Sequence, residues 1–117
     1  MYTITTKMFP DMILFQVTGK VLLPNAIQFQ EEIAQLFEAQ KVYEGCIDLS
    51  EMEKMDNSGI GALVSLSDHF IKEGRFISLY SPKEEIKELI KSIGIEKFFT
   101  IYDTKQELRH HSLSEAS

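Results

Sequence analysis

The first part of the chain alternates polar residues with β-branched and aromatic ones, a pattern that is typical of β-strands. It predicts one strand over residues 2–8 and a second over residues 12–18. Pro10 and Asp11 interrupt the alternation between them, as expected of a turn. We therefore expect an antiparallel hairpin at the start of the chain, with Gly19 closing its second strand.

Further along, short apolar runs alternate with longer segments in which apolar residues recur every three or four positions. The short runs have the length of interior strands and lie at 45–49, 76–80 and 98–102. The longer segments predict three helices, spanning Asn25 to about Gln40, Gly59 to about Glu73, and Ser81-Pro82 to Gly94. The first of these helices is expected to bury Ile27, Ile33, Leu36 and Phe37.

The order β-β-α-β-α-β-α-β predicts an α/β fold. We expect a single domain over residues 1–103, with a mixed sheet of about four to five strands, an N-terminal antiparallel hairpin and three to four helices packed on it. Residues 104–117 are expected to form a tail, partly helical or disordered. The acidic segment 50–57 is interpreted as a loop at the carboxyl ends of the strands, where such sheets usually carry their functional sites.

Charge and composition exclude several classes of function. The 117 residues include 18 acidic and 12 basic side chains, and the net charge of −6 argues against nucleic-acid binding. No apolar run is long enough to span a bilayer and no signal peptide is evident, so we expect a cytoplasmic protein without membrane insertion. The single cysteine, Cys46, lies in an apolar run and is expected to be buried and inert.

No catalytic, metal or cofactor site is predicted from the motifs, so we do not expect an enzyme. Gly59 and Gly61 resemble the start of a dinucleotide fingerprint, but the third glycine is replaced by Val64. The phosphate-binding sequence Gly-Lys-Ser/Thr is absent. No cysteine and histidine have zinc-ligand spacing, and His69 is expected to be exposed on the outer face of its helix.

The informative segment is the turn Asp56-Asn57-Ser58 before the second helix. These are three good helix-capping residues, and a cap needs no further function. Taken alone, the turn does not distinguish a structural cap from a functional site.

The wider pattern resembles the STAS-domain family, the bacterial anti-sigma-factor antagonists. Its signature is an apolar strand ending in Asp-Leu-Ser, then Asp-Ser/Thr-Ser-Gly-Leu-Gly and an apolar helix. The matching residues here are Asp48, Leu49 and Ser50, followed by Asp56, Asn57, Ser58, Gly59, Ile60 and Gly61. The resemblance extends from about Ile13 to Tyr102 and includes Gly19, Gly74 and the segment 93–99.

The resemblance implies a function for the turn. In that family the serine aligned with Ser58 is phosphorylated by an anti-sigma factor that is also a serine kinase, and a serine phosphatase restores it. The unmodified antagonist binds the kinase and releases the sigma factor. By this resemblance Ser58 is the phosphoacceptor, Asp56 assists its presentation, and Gly59 and Gly61 allow the partner to approach closely.

Other residues around the turn are candidates for partner contact. Met52, Met55 and Ile60 flank it, and flexible methionines suit adaptable interfaces. For the two methionines, burial beneath the loop is the alternative interpretation. Glu53 is expected to face the partner together with Asp56.

Two departures from the family pattern keep a second class of function open. Lys20 and Leu22 stand where the family usually has acidic residues near the switch, and Asn57 stands where a hydroxyl residue is common. The alternative is a non-switching STAS subunit of a transporter or signalling complex, in which Ser58 is not phosphorylated.

Overall fold

The computed structural model describes residues 1–108 and has a six-stranded mixed sheet. Its first two strands, β1 (Tyr2–Met8) and β2 (Met12–Val21), form the predicted antiparallel hairpin. Strand β2 does not end at Gly19. This residue has φ of +93° and lies at a shift in register, and a Cβ on it would be 2.3 Å from the carbonyl oxygen of Met1. Only glycine fits this approach of the chain start.

The other strands are β3 (Glu44–Asp48), β4 (Met52–Met55), β5 (Phe76–Tyr80) and β6 (Thr100–Tyr102). The order in the sheet is β1-β2-β3-β5-β6, with β4 paired to β2, and every pair except β1–β2 is parallel. The predicted α/β fold class is confirmed. Strand β4 is a correction, since segment 50–57 was interpreted as a loop. Its two buried methionines flank two exposed residues, so it shows no alternation.

The longer helices of the described residues are α1 (Ala26–Glu38), α2 (Asn57–Ile71) and α3 (Glu84–Ile93). Short 3-10 helices cover Leu23–Asn25 and Glu96–Phe98, and residues 105–108 are also helical. Helix α3 begins after Pro82 and ends at Gly94, whose φ is +79°. No helix among the described residues is long and apolar enough to cross a membrane. Most of the predicted tail, residues 109–117, lies outside the described residues.

Of the four residues predicted to be buried on helix α1, Ile33 and Phe37 are confirmed and the other two are not. Its buried side chains are Ala26, Phe29, Ile33 and Phe37. Ile27 and Leu36, which were expected to face the core, are 70% and 36% exposed. The reason is rotation: residues 26, 29, 33 and 37 share one face at helical spacing, which turns Ile27 outward.

The main core lies between one face of the sheet and helices α1 and α2. Phe15 of β2 contacts Phe37 of α1 edge to face, and Phe37 packs on Phe70 of α2 with ring centroids 4.5 Å apart. The four largest fully buried side chains are all phenylalanines, so aromatic packing fixes α1 and α2 on the sheet.

Arg75, between α2 and β5, joins the C-terminal ends of the two helices. Its guanidinium lies 3.8 Å from the centroid of the Phe37 ring. Its Nη2 donates to the carbonyl oxygens of Phe37 and Gln40, and its Nε donates to that of Val42. These carbonyls lie at and after the end of α1, where the helix leaves acceptors in excess of donors, and the guanidinium places a cation at the favoured end of the helix dipole.

The opposite face of the sheet carries a smaller core, in which Leu108 of the helical segment 105–108 is buried. At its centre the carboxylate of Glu44, 1% exposed, accepts hydrogen bonds from Ser78 and Tyr102. Cys46 is buried beside them, as predicted, and burial raises the pKa of its thiol. A thiol held protonated in this way is a poor nucleophile.

Candidate functional site

The predicted switch turn lies at the start of α2, and Asp56 is the residue that builds it. Asp56 adopts an extended backbone and is the N-cap of the helix. Its Oδ1 accepts from the backbone N–H groups of Ser58 and Gly59, at 2.9 and 3.1 Å. Its Oδ2 accepts from the N–H of Leu23 at 3.0 Å. One carboxylate therefore caps α2 and ties it to the 3-10 helix before α1.

The segment that approaches the turn, residues 20–25, is closed by Asn25. This residue was predicted to cap α1, but no capping hydrogen bond from its side chain to that helix is present. Its Oδ1 instead accepts from the N–H of Leu22 at 2.8 Å, and its Nδ2 donates to the carbonyl of Lys20 at 3.1 Å. The side chain thus bonds back to the preceding loop and holds it against the start of α2.

Ser58 is the second residue of α2 and is half-buried, while Asn57 before it is exposed. Within residues 1–108, no group hydrogen-bonds the Ser58 hydroxyl. Since the Asp56 carboxylate already accepts from the N–H of Ser58, the side chain of Ser58 is not needed to cap the helix. The hydroxyl is held on a rigid helical turn and is free for chemistry supplied by a partner.

The two glycines of the turn have different roles. A Cβ on Gly59, which is buried, would lie 2.5 Å from Cγ of Met55 and 2.9 Å from the carbonyl oxygen of Val21. Gly59 therefore serves the packing of α2 on strands β2 and β4. A Cβ on Gly61 would meet nothing within 4 Å, and this glycine is exposed. Both glycines were predicted to let a partner approach closely, but of the two only Gly61 lies at the surface.

The apolar residues predicted to flank the switch are buried. Met52, Met55 and Ile60 are 0%, 6% and 1% exposed, because β4 and the first turn of α2 close over the core. These side chains pack beneath the turn. For the two methionines the structure therefore agrees with the alternative interpretation, burial beneath the loop. Two exposed apolar residues, Leu23 at 73% and Ile27 at 70%, lie four positions apart before and within α1. Nothing in the sequence pattern indicated that these two residues lie at the surface.

Two charged residues, Glu53 and Lys20, lie on the strands that precede the turn and the segment next to it. Glu53 is exposed on β4 and lines a shallow hollow with Glu51, Thr3 and Thr18. Lys20 is exposed and pairs in register with Lys54 of β4. Because side chains alternate along a strand, Lys20 points away from the face on which the next residue, the buried Val21, meets α2.

Comparison with known proteins agrees with this architecture. The sequence profile of the STAS domain family matches residues 3–108, and the chain belongs to that family. A Thermotoga maritima protein, provisionally named an anti-sigma factor antagonist, is 23% identical over 101 residues, covering 86% of this chain and 89% of the relative. The crystal structure of that protein superimposes with a TM-score of 0.83 at 21% identity, covering 94% of each chain.

Two further solved structures share the fold. The anti-sigma factor antagonist SpoIIAA in its unphosphorylated form gives a TM-score of 0.76 at 13% identity, covering 96% of this chain and 97% of that one. The murine anion transporter Slc26a9 gives a TM-score of 0.77 at 15% identity, covering 89% of this chain but only 18% of the transporter. At these identities the likeness concerns the fold alone.

The Asp56 cap predicts a measurable loss of stability. Asp56→Ala removes the acceptor of three N–H groups, and we expect the free energy of unfolding to fall by about 1–2 kcal/mol in urea titrations. Asp68→Ala is the matched control, because Asp68 is an exposed carboxylate later on α2 whose one ion pair within residues 1–108 is with exposed Lys72. Equal losses in the two variants would contradict the capping role.

The contrast between the glycines predicts opposite effects of one methyl group. Gly59→Ala meets backbone and side-chain atoms and is expected to lower the free energy of unfolding by about 1–3 kcal/mol. Gly61→Ala enters open space within a helix and is expected to raise it by about 0.5–1 kcal/mol. Chemical denaturation of both variants tests this, and a stabilising Gly59→Ala would refute the close packing of α2 on β2.

Proposed function

We propose that this protein is an anti-sigma factor antagonist that binds an anti-sigma factor with serine-kinase activity and is inactivated by phosphorylation of Ser58. The observation that carries the proposal is the unengaged Ser58 hydroxyl on a helix start that is capped by another residue. Membership of the STAS family and similarity to proteins named as anti-sigma factor antagonists support the same role. A serine phosphatase acting on phospho-Ser58 would reset the protein.

The surroundings of Ser58 tolerate a phosphate. Transfer of a phosphoryl group to Oγ adds about −1.5 to −2 charge next to the N-terminus of α2, where the helix dipole favours an anion. The nearby Asp56 carboxylate is already neutralised in part by three N–H donors. Phosphorylation therefore changes the charge of the surface and leaves the fold intact.

The charge change is large enough to release a partner. A kinase surface that presents a carboxylate about 5 Å from the new phosphate would be repelled by roughly 3 kcal/mol at an effective dielectric constant of about 20. This corresponds to about two decades of affinity before screening by salt. The switch thus needs no conformational change in this chain.

The partner surface around Ser58 is formed by exposed residues. Gly61 leaves room for a partner backbone on the outer side of α2, and Asn57 offers a free amide beside the hydroxyl. Leu23, whose N–H binds Asp56, and Ile27 one turn later add exposed apolar area. A small apolar patch beside a modifiable hydroxyl is a suitable contact for a kinase.

A second candidate function is a non-switching STAS subunit of a transporter or signalling complex. The presence of Lys20 in place of an acidic residue and the fold similarity to a domain of an anion transporter favour it. Lys20 gives this second function little support, since its side chain lies on the side of the sheet away from α2. The two functions differ in whether Ser58 is ever phosphorylated.

The switch predicts that charge at Ser58 alone controls partner capture. Wild-type protein and Ser58→Ala should capture an ATP-binding serine kinase from lysate of the native host, identified by mass spectrometry. Ser58→Asp should reduce capture at least tenfold. Ser65→Asp is the matched control, because it places the same charge on an exposed position of α2 about 10 Å further along the helix.

Two outcomes would contradict the switch. Equal capture by Ser58→Asp and wild type would show that charge at this position does not release the partner. Absence of phosphate on Ser58 under every growth condition, with retained binding to a membrane transporter, would favour the non-switching function.

The apolar patch predicts a loss of affinity without a loss of stability. Leu23→Ala and Ile27→Ala should each weaken kinase binding by about 1 kcal/mol or more in calorimetric titrations. Their midpoints of unfolding should remain within the range of surface substitutions. Ile71→Ala is the control, because Ile71 is 61% exposed at the other end of α2. Equal effects of all three variants on binding would refute this patch.

A further inference from the structure

A cluster of three potential metal ligands lies where the C-terminal ends of α1 and α2 meet. Glu38 is the last residue of α1, His69 lies in the last turn of α2, and Glu73 follows four residues later in the turn after that helix. One ligand atom from each residue, the imidazole nitrogen and two carboxylate oxygens, lies within 4.8 Å of the other two. All three residues are exposed to solvent, so an ion can reach them.

The distances suit a first-row divalent ion. Two ligands about 2.1 Å from a tetrahedral Zn²⁺ are roughly 3.4 Å apart. The Nε2 of His69 and the Oε2 of Glu73 are already 3.5 Å apart. The Glu38 carboxylate needs an adjustment of only about 1–1.5 Å, which a solvent-exposed side chain makes by a change of rotamer.

Neighbouring groups hold the ligands in place. Oε1 of Glu73 faces Nη1 of Arg75 at 4.0 Å, so its Oε2 is left to face His69. The His69 ring packs edge to face on Phe70, which is buried in the core. The Arg75 guanidinium is itself fixed by three carbonyls and the Phe37 ring. These contacts restrict the orientation of the Glu73 carboxylate and of the His69 ring before an ion binds.

We propose that Glu38, His69 and Glu73 form a binding site for Zn²⁺ or a similar divalent transition ion. An imidazole with two carboxylates matches the ligand preference of such ions, whereas Mg²⁺ and Ca²⁺ prefer oxygen ligands alone. The ion links α1 to α2 at the end away from the switch turn. Ser58 lies eleven residues earlier on α2, about 16 Å along the helix axis, and stays accessible.

The test is a titration of the full chain, freed of metal by EDTA, with ZnCl₂. We expect one Zn²⁺ per chain at this site in isothermal titration calorimetry. The Tm should rise by at least about 5 °C at a zinc concentration a hundredfold above Kd. His69→Ala and Glu38→Gln should each weaken binding at least tenfold. Both positions are exposed, and circular dichroism checks that the variants fold.

The controls separate this site from other zinc ligands. The double variant His110→Ala/His111→Ala, outside the described residues, should keep the site and the rise in Tm. Co²⁺ should give a ligand-field absorption that disappears in Glu38→Gln. The proposal is overturned if zinc leaves Tm unchanged, if His69→Ala binds as wild type does, or if Mg²⁺ raises Tm equally without dependence on His69.

Discussion

The carboxylate of Asp56 is the group on which the geometry of the candidate site depends. The first N–H groups of a helix have no partner within the helix, and Asp56 satisfies two of them at the start of α2. Its second oxygen binds the N–H of Leu23, in a segment more than thirty residues earlier. Because both oxygens are engaged, the start of α2 and the chain before α1 are held in one arrangement. The position of Ser58 follows from this single cap.

The packing beneath the turn reinforces the cap. Gly59 allows α2 to approach the carbonyl of Val21 at the end of β2, and Met55 of β4 fills the space beside it. The apolar residues that flank the turn in sequence are therefore buried beneath it. Leu23, which precedes the turn in the chain, is brought to it by its N–H bond to Asp56 and by the parallel pairing of β2 with β4, and exposed Ile27 lies four residues further on. The proposed contact surface thus draws on a part of the chain outside the short motif.

The sequence predicted the parts of the fold that depend on local periodicity. Hairpin, interior strands and helix order follow from alternation and helical spacing. Strand β4 was not predicted, because apolar and polar residues do not alternate in Met52-Glu53-Lys54-Met55. It is a strand because it pairs with β2, and this pairing depends on the tertiary fold. Burial of the methionines and exposure of Ile27 depend on how elements rotate against the sheet. The cluster of Glu38 with His69 and Glu73 has no spacing signal, since its members come from two helices.

The separation of capping from modification explains why a serine two residues inside the helix suits a switch. If Ser58 were itself the cap, its phosphorylation would replace the hydroxyl that holds the helix start, and the modification would alter the fold as well as the surface. Asp56 caps the helix instead, and Ser58 contributes its N–H to the cap while its hydroxyl makes no hydrogen bond within residues 1–108. The dipole of α2 favours the added charge on the same turn. In the proposed switch, a phosphate on Ser58 would therefore be added and removed while the helix stays in place, and the two states would differ almost entirely in what a partner meets at the surface.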